Sequence, residues 1–128
     1  MLTDLDRFKQ VNDTYSHPVG DVVLRQVARL IGSCVRGTDL VARIGGEEIA
    51  VLLAPTPDRE SVDDVCERIR ASIEQHPWHE VVAGLTVTIS IGAASRRPGE
   101  SAAHLVSRAD GLLYAAKRRG RNRVVART

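Results

Sequence analysis

The sequence predicts an α/β (α+β) fold: a central mixed β-sheet flanked by helices. Three observations predict it. Three segments place apolar residues at intervals of three and four, the spacing of a helix with one buried face; the first of them is Leu24, Val27, Ala28, Ile31 and Val35. Leu85, Val87, Ile89 and Ile91 alternate with Thr86, Thr88 and Ser90, the period of two that marks a strand. Gly45-Gly46-Glu47-Glu48 separates two short apolar runs, residues 40–44 and 49–53, as the turn of a hairpin does.

Taken in order, residues 1–4 read as the end of a strand, and residues 6–15 as a short helix with Phe8, Val11 and Tyr15 on one face. His17, Pro18 and Gly20 read as a loop, from which Asp21 opens the second helix. The hairpin follows, and Pro55 and Pro57 end its second strand. Ser61 is placed to begin a third helix, with Val62, Val65, Cys66, Ile69 and Ile73 inward and Pro77-Trp78 at its end. The alternating run at 85–91 is then a strand with one polar face. A last helix carries Leu105, Ala109, Leu112, Leu113 and Ala116, Gly120 terminates it, and Val124-Val125 form a final short strand. The order is β-α-α-β-β-α-β-α-β, with helices crossing between strands around one hairpin. Its 128 residues suffice for one domain, residues 1–128, without repeats or a linker. A central strand of only three or four residues is short, so the N-terminus reads as trimmed.

Composition narrows the class. At 43% hydrophobic and 27% charged the chain has the balance of an ordinary globular protein. No apolar run approaches the roughly 18 residues of a membrane span, and no signal-peptide pattern opens the chain. Cys34 and Cys66 lack metal-ligand spacing and fall on apolar helix faces, as buried free thiols in a reducing cytoplasm would. The histidines show no zinc spacing, and Trp78 reads as a packing anchor. Of 18 Lys and Arg, six (Lys117, Arg118, Arg119, Arg121, Arg123 and Arg127) follow residue 116, whereas all 16 acids precede residue 111. An acidic body with a basic cluster suits a metal nucleotide. A nucleic-acid surface is the competing reading of such a tail, but Phe8, Tyr15, Trp78 and Tyr114 offer few stacking platforms.

Asp4 and Asp6 end the first strand, and Glu47 and Glu48 sit at the hairpin tip. If that strand lies beside the hairpin, these carboxylates converge and repel one another unless a cation neutralises them, and Mg²⁺ prefers such oxygen ligands. Alternatively, Asp4 and Asp6 simply favour a helix N-terminus. Asn12 and Asp21 combine a donor with acceptors, as reading a guanine edge requires; singly, Asp21 suits a helix cap. Lys9, Lys117 and Arg121 are candidates to neutralise phosphate.

The ordered motifs go further. Asp4-Leu5-Asp6-Arg7-Phe8-Lys9, Asn12-Asp13-Thr14-Tyr15, His17 with Gly20-Asp21, Arg43-Ile44-Gly45-Gly46-Glu47-Glu48, Thr88-Ile89-Ser90-Ile91-Gly92, Ala109-Asp110, Tyr114, Ala116-Lys117 and Gly120-Arg121-Asn122-Arg123 resemble the GGDEF family of diguanylate cyclases from residue 2 to about residue 126. The resemblance implies the nucleotidyl-cyclase, palm-like fold of that family. It implies an enzyme that condenses two GTP into cyclic di-GMP and two pyrophosphates with Mg²⁺ or Mn²⁺, across a homodimer, driven by an upstream sensor or regulatory domain. Asp4, Glu47 and Glu48 with the Leu5 carbonyl would hold metal, and Glu48 would help deprotonate the ribose 3′-hydroxyl. Asn12 and Asp21 would bind guanine. Lys117 and Arg121, with the backbone of Phe8 and Lys9, would grip the terminal phosphates, and Asp6 would cap the helix. Arg36-Gly37-Thr38-Asp39 matches the family's Arg-x-x-Asp product-inhibition site, joined by Arg68. The alternative is an inactive regulatory module that binds GTP or cyclic di-GMP.

Three positions depart from the family pattern. Ile49 replaces the usual Phe after the two acids, and Glu47 stands where many members have Asp. Ser16 replaces a common Gly before His17; if that position needs positive φ, serine costs about 1 kcal/mol and crowds the guanine pocket.

Overall fold

A computed structural model describes residues 1–56 and 58–127. The expected strand-ending role of Pro57 lies outside the described residues. Among them the chain forms a five-stranded sheet and four α-helices: β1 (Leu2–Leu5), α1 (Phe8–Thr14), α2 (His17–Cys34), β2 (Leu40–Gly45), β3 (Glu48–Leu52), α3 (Val62–Gln75), a 3₁₀ turn (Trp78–Glu80), β4 (Ile89–Ala94), α4 (Ala102–Arg118) and β5 (Val124–Arg127). The sheet order is β2-β3-β1-β4-β5. β1 pairs antiparallel with both β3 and β4, and β5 runs parallel to β4, so the sheet is mixed as the sequence predicts.

Period-two alternation sorts the sheet's side chains between two layers. Leu5, Ile49, Val51, Ile89 and Ile91 join Val23, Val27 and Ile31 of α2 and Val65, Ile69 and Ile73 of α3 in the main core. On the other face Leu2 packs with Ala109 and Leu113 of α4. Trp78 is buried and its indole N–H donates to the Ile73 carbonyl (2.7 Å), an anchor that closes α3. Cys34 and Cys66 are buried free thiols, and burial pushes the Cys66 thiol up to about 12. Ile49, 3% exposed, is a core residue. No helix among the described residues is long and apolar enough to cross a membrane.

Two expectations are corrected. The second helix begins at His17, not Asp21, with Ser16 as its N-cap and Pro18 in its first turn. A first-turn proline lacks only an N–H that has no partner inside a helix, so Pro18 is compatible with the helix and does not mark a loop. The strand expected over 85–91 pairs only from Ile89 onward and continues to Ala94. The alternation at Leu85 and Val87 records inward burial without a partner strand. Its polar face is covered at one end only: Ser90 is fully buried under α4, whereas Thr88 is half-buried and Thr86 exposed.

Candidate active site

β1 lies between the hairpin strand β3 and β4, and this brings the predicted acids together. Asp4 stands directly across from Glu48 on one side and from Ser90 on the other. Directly opposed residues share a face of the sheet, so the Asp4 and Glu48 side chains project into the same space. The Leu5 N–H donates to the Glu47 carbonyl (3.4 Å), tying the end of β1 to the hairpin tip. The tip is a tight turn with Gly46 at φ 40°, closed by Arg43 Nε on the Gly46 carbonyl (2.8 Å).

Asp4 is 5% exposed, and Lys117 at the end of α4 places Nζ 2.7 Å from its Oδ2. Burial pushes the Asp4 carboxyl above its ordinary value. Lys117 opposes that rise, and the charges of Glu47 and Glu48 add to it. The buried Asp4 and the half-buried Glu47 and Glu48 offer carboxylate oxygens of the kind a hard cation takes, and an ammonium ion already answers Asp4. The residues present therefore fit a Mg²⁺-type ion. Among the described residues, however, no three His, Cys, Asp or Glu side chains form a ready-made metal cage.

The other candidates fall into two groups. Asn12 of α1 is half-buried against Gly20: a Cβ on Gly20 would lie 1.9 Å from Asn12 Oδ1 and 3.2 Å from Phe8 Cζ. Gly20 thus lets α1 and α2 close together, setting Asn12 beside the residue that precedes Asp21. Asp21 and Lys9 are exposed. Asp21 does not cap α2, because Ser16 does. Arg121 is exposed just past α4, four residues beyond Lys117.

Arg36, Asp39 and Arg68 form a separate cluster at the other end of the hairpin, about 16 Å along β2 from the acids. Asp39 accepts from Arg36 N–H (2.8 Å), Ala54 N–H (2.9 Å) and Arg59 (2.5 Å). Burial raises its pKa, but these donors outweigh burial and hold the carboxyl below its ordinary value. Arg68 donates to both Glu60 oxygens at 2.7 Å and to the Cys34 carbonyl at 2.6 Å. Arg36 reaches Thr56 at 3.2 Å and Asp58 at 3.7 Å. Sequence reasoning missed Arg59 and Glu60, whose only signal is charge in a proline-rich loop.

The expected capping role of Asp6 is corrected. The cap position of α1 is Arg7, in the left-handed conformation, with no side-chain hydrogen bond. Asp6 instead accepts from Thr88 Oγ1 (2.7 Å), Ser90 Oγ (2.6 Å) and the Asn122 N–H (2.9 Å).

Known proteins share both this sequence pattern and this fold. The family model for "Diguanylate cyclase, GGDEF domain" matches residues 1–123. The chain is 46% identical over 125 residues to diguanylate cyclase A of Treponema denticola, covering 97% of this chain and 33% of that protein. It therefore spans about a third of the length of such curated relatives. Among solved structures it resembles the active GGEEF domain of a diguanylate cyclase from Vibrio cholerae, at 32% identity and TM-score 0.87, covering 99% of this chain and 81% of that one. It also resembles the GGDEF domain of DgcB from Caulobacter crescentus, solved in complex with c-di-GMP, at 38% identity and TM-score 0.83, covering 98% of this chain and 74% of that one. With the family model matched over residues 1–123 and the fold shared with solved GGDEF domains, this chain belongs to the GGDEF domain family of diguanylate cyclases.

Proposed function

We propose that this domain condenses two GTP molecules into cyclic di-GMP, releasing two pyrophosphates, when two copies meet antiparallel. The observation that carries the reading is the register of Asp4 opposite Glu48, with Lys117 on Asp4, at the open end of β1 beside the glycine turn. Asp4, Glu47, Glu48 and the Leu5 carbonyl would hold Mg²⁺ or Mn²⁺. When bound, that ion supplies positive charge to the triphosphate and to the oxygen that loses a proton.

The chain's own residues do the remainder. Glu48 accepts the ribose 3′-hydroxyl proton as general base. Lys117, relieved of neutralising Asp4, turns with Arg121 to the terminal phosphates, where a guanidinium forks onto two oxygens. The backbone at the start of α1, Phe8 and Lys9, meets the same phosphates. Asn12 and Asp21 select guanine: its N1 and N2 groups donate, and Asp offers only acceptors. Each 3′-hydroxyl faces an α-phosphate held by the other copy, so one domain alone completes no product.

The test is incubation with GTP and Mg²⁺ or Mn²⁺, with products identified by mass. Cyclic di-GMP is expected, formed at a rate per chain that falls steeply on dilution. A rate per chain independent of dilution would contradict the two-copy reaction. Tight cyclic di-GMP binding with no product from GTP would instead favour a regulatory module. Arg36, Asp39 and Arg68 would bind the product and inhibit, since arginine both stacks on guanine and forks onto phosphate.

A further inference from the structure

Asp6 has no part in the reaction above, yet its carboxylate is 8% exposed and fully engaged. Ser90 Oγ donates to Oδ1, and Thr88 Oγ1 and the Asn122 N–H donate to Oδ2. The two hydroxyls are rotors that can bond elsewhere. The Asn122 N–H is not: it belongs to the peptide that follows Arg121.

That peptide is unusual. Arg121 (φ 64°) and Asn122 (φ 46°) are consecutive non-glycine residues in the left-handed region, which side chains disfavour. The segment holds this shape because it is gripped from three sides. Helix α4 ends in a Schellman-type turn, with the Gly120 N–H on the Lys117 carbonyl (3.3 Å) and the Arg121 N–H on the Ala116 carbonyl (3.1 Å). From α3, Arg70 Nη1 donates to Asn122 Oδ1 (2.9 Å), while Asn122 Nδ2 donates to Glu74. Asp6 makes the third contact, from a residue 116 positions away in sequence.

We propose that Asp6 is a positioning residue for the phosphate-binding end of α4. Its carboxylate fixes the Arg121–Asn122 peptide to the end of β1 and so sets where Arg121 delivers its guanidinium. The two candidate phosphate cations are then both referenced to β1, Lys117 through Asp4 and Arg121 through Asp6 two residues later. The proposal rests on the reading of Arg121 as a triphosphate contact.

The experiment is equilibrium binding of GTP and of GMP to the whole chain by calorimetry, with Asp6→Asn, Arg121→Ala and the pair combined. Arg121→Ala is expected to weaken GTP about tenfold, the size of one charge-assisted hydrogen bond, and to leave GMP within about twofold. Asp6→Asn is nearly isosteric but exchanges a charged acceptor of the Asn122 N–H for a neutral one, and should reproduce part of that selective loss, with the double variant no worse than Arg121→Ala alone. A purely structural aspartate would weaken GTP and GMP alike, or multiply its loss with that of Arg121→Ala; either outcome overturns the proposal. Thr88→Val, which lets the carboxylate pivot, carries the test if Asp6→Asn does not fold, and should lower the GTP-to-GMP preference in the same direction. No change in that preference would again overturn it. If Arg121→Ala leaves GTP binding intact, the reading of Arg121 itself fails, and the proposal with it.

Discussion

Lys117 Nζ lies 2.7 Å from Asp4 Oδ2, so the last turn of α4 neutralises the carboxylate that burial and two neighbouring glutamates push toward protonation. This pair joins the basic end of the chain to its acidic cluster. It also shows that one cation already faces the acidic cluster.

Lys117→Met should make this electrostatic load visible. Asp4 keeps its burial and the charges of Glu47 and Glu48 but loses its counter-charge, so its carboxyl rises further above the ordinary 3.8. A carboxyl raised on folding holds its proton more tightly in the folded state. The folded state therefore gains stability as pH falls through the raised value, and lacks that gain above it. The melting temperature of Lys117→Met should rise, relative to the parent, as pH falls from neutral toward the ordinary carboxyl value of 3.8. Parallel pH profiles for the two proteins would refute the coupling.

Glu48→Gln should abolish cyclic di-GMP formation with little effect on folding. The side chain is half-buried at the strand end and opposite Asp4, and an amide keeps its shape. If Glu48 is the proposed base and metal ligand, the amide removes both roles, and a loss of at least about a hundredfold is expected. Mass detection of product and a melting curve separate the two effects; full activity would remove Glu48 from the catalytic role.

Much of this site was legible in the sequence, because local patterns carried it. The i, i+3, i+4 spacing placed Leu24, Val27 and Ile31 on the inner face of α2, where all three are buried, whereas Ala28, expected on the same face, is exposed. The glycine turn placed Glu47 and Glu48 at a hairpin tip. What was not legible depends on contacts distant in sequence. Ser90 was placed on the polar face of its strand, and alternation says which residues share a face but not that α4 covers it there. Asp6 looked like a helix cap because its true donors, Thr88, Ser90 and the Asn122 N–H, are 82, 84 and 116 residues away. Asp39 looked like half of a binding motif, with no hint that Arg59 would occupy it.

Ser16→Gly should stabilise the domain. Ser16 caps α2 with φ 153° and ψ 167°, a region that side-chain-bearing residues rarely enter. Its hydroxyl returns only a long hydrogen bond from the Val19 N–H, 3.4 Å. Glycine relieves the backbone at the loss of a few tenths of a kcal/mol of capping, a net gain of about 1 kcal/mol. A melting temperature higher by about 4 °C is expected. An unchanged or lower value would show that the serine is not strained.

Glu100 should give the domain an acid limit. It is 8% exposed and accepts from Arg108 Nε (2.7 Å), Arg108 Nη2 (3.0 Å) and the Arg97 N–H (2.9 Å). Arg108 first, and then the Arg97 N–H, hold its carboxyl down at about 2, against an ordinary 4.5. A carboxyl depressed on folding contributes stability that is fully present above the unfolded value and is lost as pH falls through the folded one. Glu100→Gln should therefore be less stable than the parent at neutral pH. The gap should close as pH falls from 4.5 toward about 2; urea midpoints for both proteins across that range measure it, and a constant gap would count against the assignment.

Arg36→Ala and Asp39→Ala should behave differently although both belong to the Arg-x-x-Asp motif. The Arg36 side chain is 44% exposed, on Thr56 and Asp58, so its loss should leave the melting temperature unchanged. If this cluster binds product, Arg36→Ala keeps the initial rate and removes the slowing caused by added cyclic di-GMP. The Asp39 side chain is fully buried and supports three donors. Its removal strands Arg59 and the Ala54 N–H, at about 1–3 kcal/mol each for groups that water does not reach, and leaves the exposed Arg36 N–H to water. Asp39→Ala should therefore lower the melting temperature markedly, and only Arg36→Ala cleanly reports on inhibition. Initial rates with and without cyclic di-GMP, beside melting curves, decide the matter. Retained inhibition in Arg36→Ala would leave the product-binding role of the cluster without support.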